Sequence, residues 1–152
     1  MTSLSRTAVG VLGAAGIVAS SLITAPTAQA ASGGGCAQYS EGYQRATYVD
    51  WKSCLSAPRP GIGRPDAYVT LRSGHPACKI VVRVLRTGDS KVMSLKTYDC
   101  PSGGIRMQRF AAPDFRGDNA VPGRAYATYT SIMWTGSQTA TLPLKSPWLK
   151  LP

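Results

Sequence analysis

Residues 78–100 read CKIVVRVLRTGDSKVMSLKTYDC, two runs rich in branched apolar residues, joined through Thr87-Gly-Asp-Ser90 and closed at each end by a cysteine. Branched side chains at alternate positions suit a pleated, half-buried surface better than a helix. Gly88-Asp89 suits the two-residue loops whose twist matches that of paired strands. The stretch therefore predicts a β-hairpin. With Gly88-Asp89 as its loop, Val84 faces Met93, Val82 faces Leu95 and Ile80 faces Thr97 on one apolar side, while Lys79, Arg83, Ser94 and Lys96 share the other. That register leaves Cys78 opposite Asp99, and a β-bulge near Thr97 to Asp99 brings Cys78 opposite Cys100 instead.

On either side the same texture continues, short apolar runs punctuated by Gly, Pro, Asp and Ser. Strands are predicted at Thr47 to Leu55, Asp66 to Arg72, Cys78 to Arg86, Lys91 to Asp99, Ile105 to Ala111, Arg124 to Trp134 and Ser137 to Leu142. Loops fall at 57–65, 73–76, 87–90, 101–104 and 112–123. The expected fold is all-β: a small disulfide-linked sandwich or barrel-like domain of about six or seven short antiparallel strands. Ser40 to Ser56 also has a helical alternative, with Tyr43, Ala46 and Val49 on one face. The tail from Leu142 to Pro152, broken by Pro143 and Pro147, reads as an extended edge.

Residues 1–30 read as an export signal: Arg6 in the n-region, an apolar stretch from Ala8 to Ile23, and small residues at Ala28 and Ala30 for cleavage after Ala30. The stretch is interrupted by glycine and serine and is too short for a membrane anchor. A Gly-rich linker is expected at 31–35, and residues 36–152 have the length of a single β domain, secreted and extracellular. Of the 17 Lys and Arg only Arg6 lies in the leader, leaving 16 against 7 acidic residues and a mature charge of +9. Charged residues are only 16% of the chain, against the roughly 25% usual in globular proteins.

Cys36, Cys54, Cys78 and Cys100 leave no odd thiol, and after an export signal they read as two disulfides. None lies within two to four residues of another, and His75 is the single histidine, so no metal site is expected. The hairpin favours Cys78 with Cys100 and Cys36 with Cys54, with Cys54 to Cys100 as the rival. Each bond would close a loop of about 20 residues and contribute roughly 3 kcal/mol in the chain-entropy account.

Secreted hydrolases need a nucleophile with its base, paired carboxylates or a metal cluster, and no such group stands out. Glu41 is the single glutamate, and the aspartates fall mostly at strand ends and turns. Asp114 and Asp118 are close enough to suggest calcium, but Arg116 sits between them. His75, in Ser73-Gly-His-Pro76, reads as a turn residue, and no catalytic residue or cofactor is expected. Trp51, Trp134 and Trp148 are candidates for core packing or for a sugar-stacking platform.

The remaining feature is basic charge. Lys79, Arg83, Arg86, Lys91 and Lys96 crowd the hairpin, and Arg106, Arg109 and Arg116 lie among Met107, Phe110 and Phe115. Such a surface attracts polyanions through counterion release without reading sequence. The expectation is a secreted, non-enzymatic binding or structural protein that associates with anionic polymer of the cell envelope or surroundings, with those five hairpin cations as the binding residues. No specific nucleic-acid recognition is expected. The alternatives are a protease inhibitor presenting loop 57–65 or 112–123 through Arg59, Arg64 or Arg116, and a hydrolase or nuclease with a dispersed site.

The leader ending in AQA, Trp51-Lys-Ser-Cys54-Leu-Ser56, Asp66-Ala-Tyr-Val69, Cys78-Lys-Ile-Val-Val82 and Tyr98-Asp-Cys100 together resemble the small uncharacterised secreted proteins common in actinobacteria. The resemblance implies export and disulfides, and it brings no catalytic residues with it.

Overall fold

A computed structural model describes residues 31–37, 44–118, 124–136 and 140–151. The predicted leader at 1–30, Glu41, and parts of the predicted loop 112–123 and strand Ser137 to Leu142 lie outside the described residues. Among the described residues the chain is all-β with no helix, and its strands form two antiparallel sheets without a closed barrel.

The strands are β1 (Ser32–Gly33), β2 (Gly35–Cys36), β3 (Gln44–Ala46), β4 (Val49–Arg59), β5 (Ile62–Leu71), β6 (Cys78–Arg86), β7 (Val92–Asp99), β8 (Ile105–Ala111), β9 (Phe115–Arg116), β10 (Ala125–Trp134), β11 (Leu144–Lys145) and β12 (Leu149–Lys150). The front sheet has the order β1-β12-β10-β6-β7, with β11 also paired to β10. The back sheet has the order β2-β4-β5-β8, with β3 on β4 and β9 on β5.

Sequence expectation and structure agree for β6 and β8, and within a few residues for β4, β5, β7 and β10. The helical alternative at Ser40 to Ser56 fails, because Gln44–Ala46 and everything from Val49 pair as strands. Stretch 57–65 is no loop. β4 runs through it to Arg59 and β5 resumes at Ile62, leaving a tight turn at Pro60-Gly61. The seventh predicted strand lies later: Ala140 makes an isolated bridge to Met133, and the next strand is β11. In the tail, β12 sits between β10 and β1 rather than at the edge.

The hairpin contains the expected bulge, in a different place. Leu85 faces Val92 as the two-residue loop predicts, but the register then shifts, and Val84 faces Ser94, Val82 faces Lys96 and Ile80 faces Tyr98. The extra residue therefore sits at Met93, beside the turn, and not near Thr97 to Asp99. Contacts across the sandwich explain this. Tyr98 packs edge-on against Phe110 at 5.2 Å and donates its hydroxyl to the Ala111 carbonyl, while Ser94 Oγ donates to the Pro113 carbonyl at 2.7 Å. Both side chains must point inward, which turns Leu95 and Thr97 outward.

Both disulfides are the favoured ones, Cys36–Cys54 and Cys78–Cys100. The Gly-rich 31–35 segment, expected as a linker, is instead a crossing between sheets: β1 pairs with β12 in front and β2 with β4 behind.

The interior is filled. Val49, Trp51, Val69, Ile80, Val82, Phe110 and Ile132 make one buried cluster, and Leu55, Val84, Phe115, Tyr126 and Leu149 make a second. Between the sheets, Ser53 Oγ donates to the Thr128 carbonyl at 3.0 Å, Thr130 Oγ1 donates to Ser53 Oγ at 3.0 Å, and Trp51 Nε1 donates to the Thr130 carbonyl at 3.3 Å. These bonds fix how the sheets face one another.

Candidate functional site

Among the described residues the side chains clustered between the sheets are apolar, and most of the charged ones lie on the outer faces. An open groove of about 530 Å³ lies at the sheet crossing, but Ala31, the glycines 33–35, Ser56, Ala57, Pro60 and Leu149 line it and Arg59 is its single charge.

Among the described residues, every aspartate is held by a cation. Arg72 holds Asp50 through two bonds of 3.1 and 3.2 Å, Arg109 Nε holds Asp66 at 2.7 Å, and Lys79 holds Asp99 at 2.7 Å. Arg64 grips Asp114 through two bonds, at 3.0 and 2.9 Å, an arrangement that holds the carboxyl below its usual range and raises the guanidinium above its own. Asp89 and Asp118 both bind Arg86, and Arg124 adds a contact to Asp89 at 3.1 Å. The Arg86 bond holds Asp89 well below the usual carboxylate range. No calcium pair forms from Asp114 and Asp118, since each is turned to a different arginine.

Against this, Lys52, Arg59, Arg83, Lys91, Lys96, Arg106, Arg116, Lys145 and Lys150 have no carboxylate partner among the described residues. The surplus charge thus resides in particular uncommitted side chains.

The five hairpin cations do not form one face. Lys79 and Arg83 point outward from β6, the former paired with Asp99. Lys96, opposite the buried Val82, lies on the other side of the sheet, 5.9 Å from the Tyr98 ring. Arg86 is buried in its ion pairs, and Lys91 closes the turn by accepting the Arg86 amide through its carbonyl. The bulge at Met93 accounts for Lys96, since a one-residue shift sends every later side chain of β7 to the opposite face, while Arg86 follows the inward alternation of Ile80, Val82 and Val84.

The outer face of the back sheet gathers more cations. Register places Lys52, Tyr68 and Arg109 in one row across β4, β5 and β8, and Arg59, Ile62 and Arg116 in another across β4, β5 and β9. Lys52 Nζ lies 5.0 Å from the Tyr68 ring centroid. Arg106 and Met107 fall at a bulge of β8 opposite Thr70, whose Oγ1 accepts the Met107 amide at 3.0 Å. Met107 takes the left-handed backbone there, with φ 48°. Sequence reading named Arg106, Arg109 and Arg116 but had no signal joining them to Lys52 and Tyr68, because the pairing of β5 with β8 is long-range.

Other expected features disperse. Trp51 is core, Trp134 packs edge-on to Tyr48 at 6.3 Å, and Trp148 lies on the front sheet under Lys145, so no aromatic platform exists among them. His75 is in a turn, with Nδ1 near the Pro76 carbonyl.

No family model and no curated protein matches the chain. Among solved structures, chicken MD-1 complexed with lipid IVa is similar at 11% identity, covering 72% of this chain and 95% of that one with a TM-score of 0.29. So distant a likeness carries no argument about this chain.

Proposed function

We propose that this is an exported, non-enzymatic protein that holds an anionic polymer of the cell envelope or its surroundings on the outer face of its back sheet. One observation carries the reading: on that face the carboxylates of Asp50, Asp66 and Asp114 are all ion-paired, while Lys52, Arg59, Arg106 and Arg116 are uncommitted. Uncommitted cations on one surface release counterions together when a polyanion lies across them. The row of Lys52, Tyr68 and Arg109 adds an aromatic ring between two charges. The inhibitor alternative is weaker, because its loop 57–65 is a tight hairpin and Arg64 is engaged by Asp114.

Duplex DNA serves as a probe of polyanion binding without implying a natural ligand. The variant Lys52→Gln, Arg59→Gln, Arg116→Gln is expected to flatten the slope of log affinity against log salt by up to about 2.7, at roughly 0.9 per phosphate contact. A control changing Arg83, Lys145 and Lys150 to Gln removes equal charge from the front sheet and should change the slope far less. Equal effects would mean diffuse attraction, and salt-insensitive binding by the parent would remove the reading.

A further inference from the structure

The outer face of the front sheet has a different chemistry. Val92, Leu95, Met133 and Trp148 are exposed at 52%, 54%, 47% and 39%, and the first three lie outward on the front sheet, Val92 and Leu95 on β7 and Met133 on β10, with β6 between them. Arg83 and Lys145 stand among them, in a row that runs Leu95, Arg83, Tyr129, Lys145 across β7, β6, β10 and β11. Lys145 Nζ lies 4.2 Å from the Trp148 ring centroid. Soluble proteins seldom leave so many large apolar side chains together on one face unless it is covered in use.

We propose that this face docks on an anionic lipid bilayer, with Leu95, Met133 and Trp148 entering the interface and Arg83 and Lys145 meeting lipid phosphates. The inference goes beyond polymer binding and does not rest on it. A polyanion held by counterion release gains nothing from exposed leucine, methionine and tryptophan, whereas a bilayer surface takes up both apolar and cationic groups. Tryptophan beside lysine is a pairing suited to the headgroup level. A second copy of this chain is the poorer occupant. Two-fold face-to-face association brings Arg83 and Lys145 of one copy toward the same cations of the other, and like charges oppose it.

The experiment is cosedimentation of the mature protein with vesicles of phosphatidylcholine containing about a quarter phosphatidylglycerol, and with phosphatidylcholine alone, with melting temperatures measured throughout. The parent is expected to bind the anionic vesicles. Arg83→Gln with Lys145→Gln should weaken that binding roughly 30-fold, and Leu95→Ser with Met133→Ser, at unchanged charge, roughly tenfold or more. Should the serine pair melt early, tryptophan emission decides: vesicles should shift it to the blue in the parent, and the shift should shrink in Trp148→Phe. Parent affinity retained by the serine pair would overturn the proposal, as would an equal loss in the Lys52, Arg59, Arg116 variant. So would a dimer dispersed by Leu95→Ser without vesicle binding, which would identify a second copy as the occupant.

Discussion

Thr128 and Thr130 lie two residues apart on the buried side of β10, and their hydroxyls are differently placed. Thr130 Oγ1 bonds to Ser53, whereas Thr128 Oγ1 is buried without a hydrogen-bond partner. Exchange of a hydroxyl for a methyl removes an unsatisfied group in one case and breaks an inter-sheet bond in the other. Thr128→Val should therefore be neutral or stabilise by up to about 1 kcal/mol, and Thr130→Val should destabilise by about 1 kcal/mol or more, both measured by urea unfolding. Asp89 supports a pH prediction. Its carboxyl is lowered from the ordinary 3.8 by Arg86, so its contribution is complete above that value and is lost as pH falls through the lowered native value. Asp89→Asn should unfold at lower urea than the parent at pH 6, yet lose less of its midpoint between about pH 4 and pH 2. A parallel pH dependence in the two proteins would show that Asp89 is not a source of acid sensitivity. The sequence displayed Arg86 three residues before Asp89, but nothing in it placed Asp118 beside them, so a structural arginine was read as a binding one.

The element that sequence reading missed most completely is the glycine crossing at 33–35. Small residues after a leader suggest a linker, but these stitch both sheets together, with the Gly34 amide donating to the Trp148 carbonyl at 2.7 Å. Gly34 has φ +83°, and a Cβ there would lie 2.7 Å from the Leu55 carbonyl oxygen and 3.1 Å from Leu149 Cδ1. Gly34→Ala should cost about 2 kcal/mol or more, since strain and a backbone clash act together. Gly88→Ala, also at positive φ but with nothing within 4 Å of its Cβ, should cost only about 1 kcal/mol. Equal losses would mean that the crossing tolerates a side chain. The hairpin shows the opposite balance. Alternation and turn chemistry predicted its strands, because both are local, and the Cys78–Cys100 pairing followed only once a bulge was added to that register. The position of its bulge depends on Tyr98 meeting Phe110 and Ser94 meeting Pro113, contacts with another sheet that no local pattern encodes.

At the scale of the whole molecule, charge and fold class were legible because composition and strand texture suffice for them, and the candidate surfaces were not, because each joins strands distant in sequence. Lys52, Tyr68 and Arg109 become neighbours only through the pairing of β5 with both β4 and β8, and the hairpin pair of Leu95 with Arg83 is joined to Tyr129 and Lys145 only through β10. The two faces stand back to back across a filled core, and packed sheets lie about 10 Å apart, so an occupant of one does not obstruct the other. If the back face holds polyanion and the front face holds lipid, one chain should tether labelled duplex DNA to anionic vesicles, although the two repel each other without it. The Arg83, Lys145 variant should fail because it leaves the vesicle, and the Lys52, Arg59, Arg116 variant because it leaves the DNA. Mixing the two variants should restore nothing, since a tether requires both faces in the same chain. Restoration by the mixture would show that separate molecules associate into the bridge, and would remove the assignment of one ligand to each face.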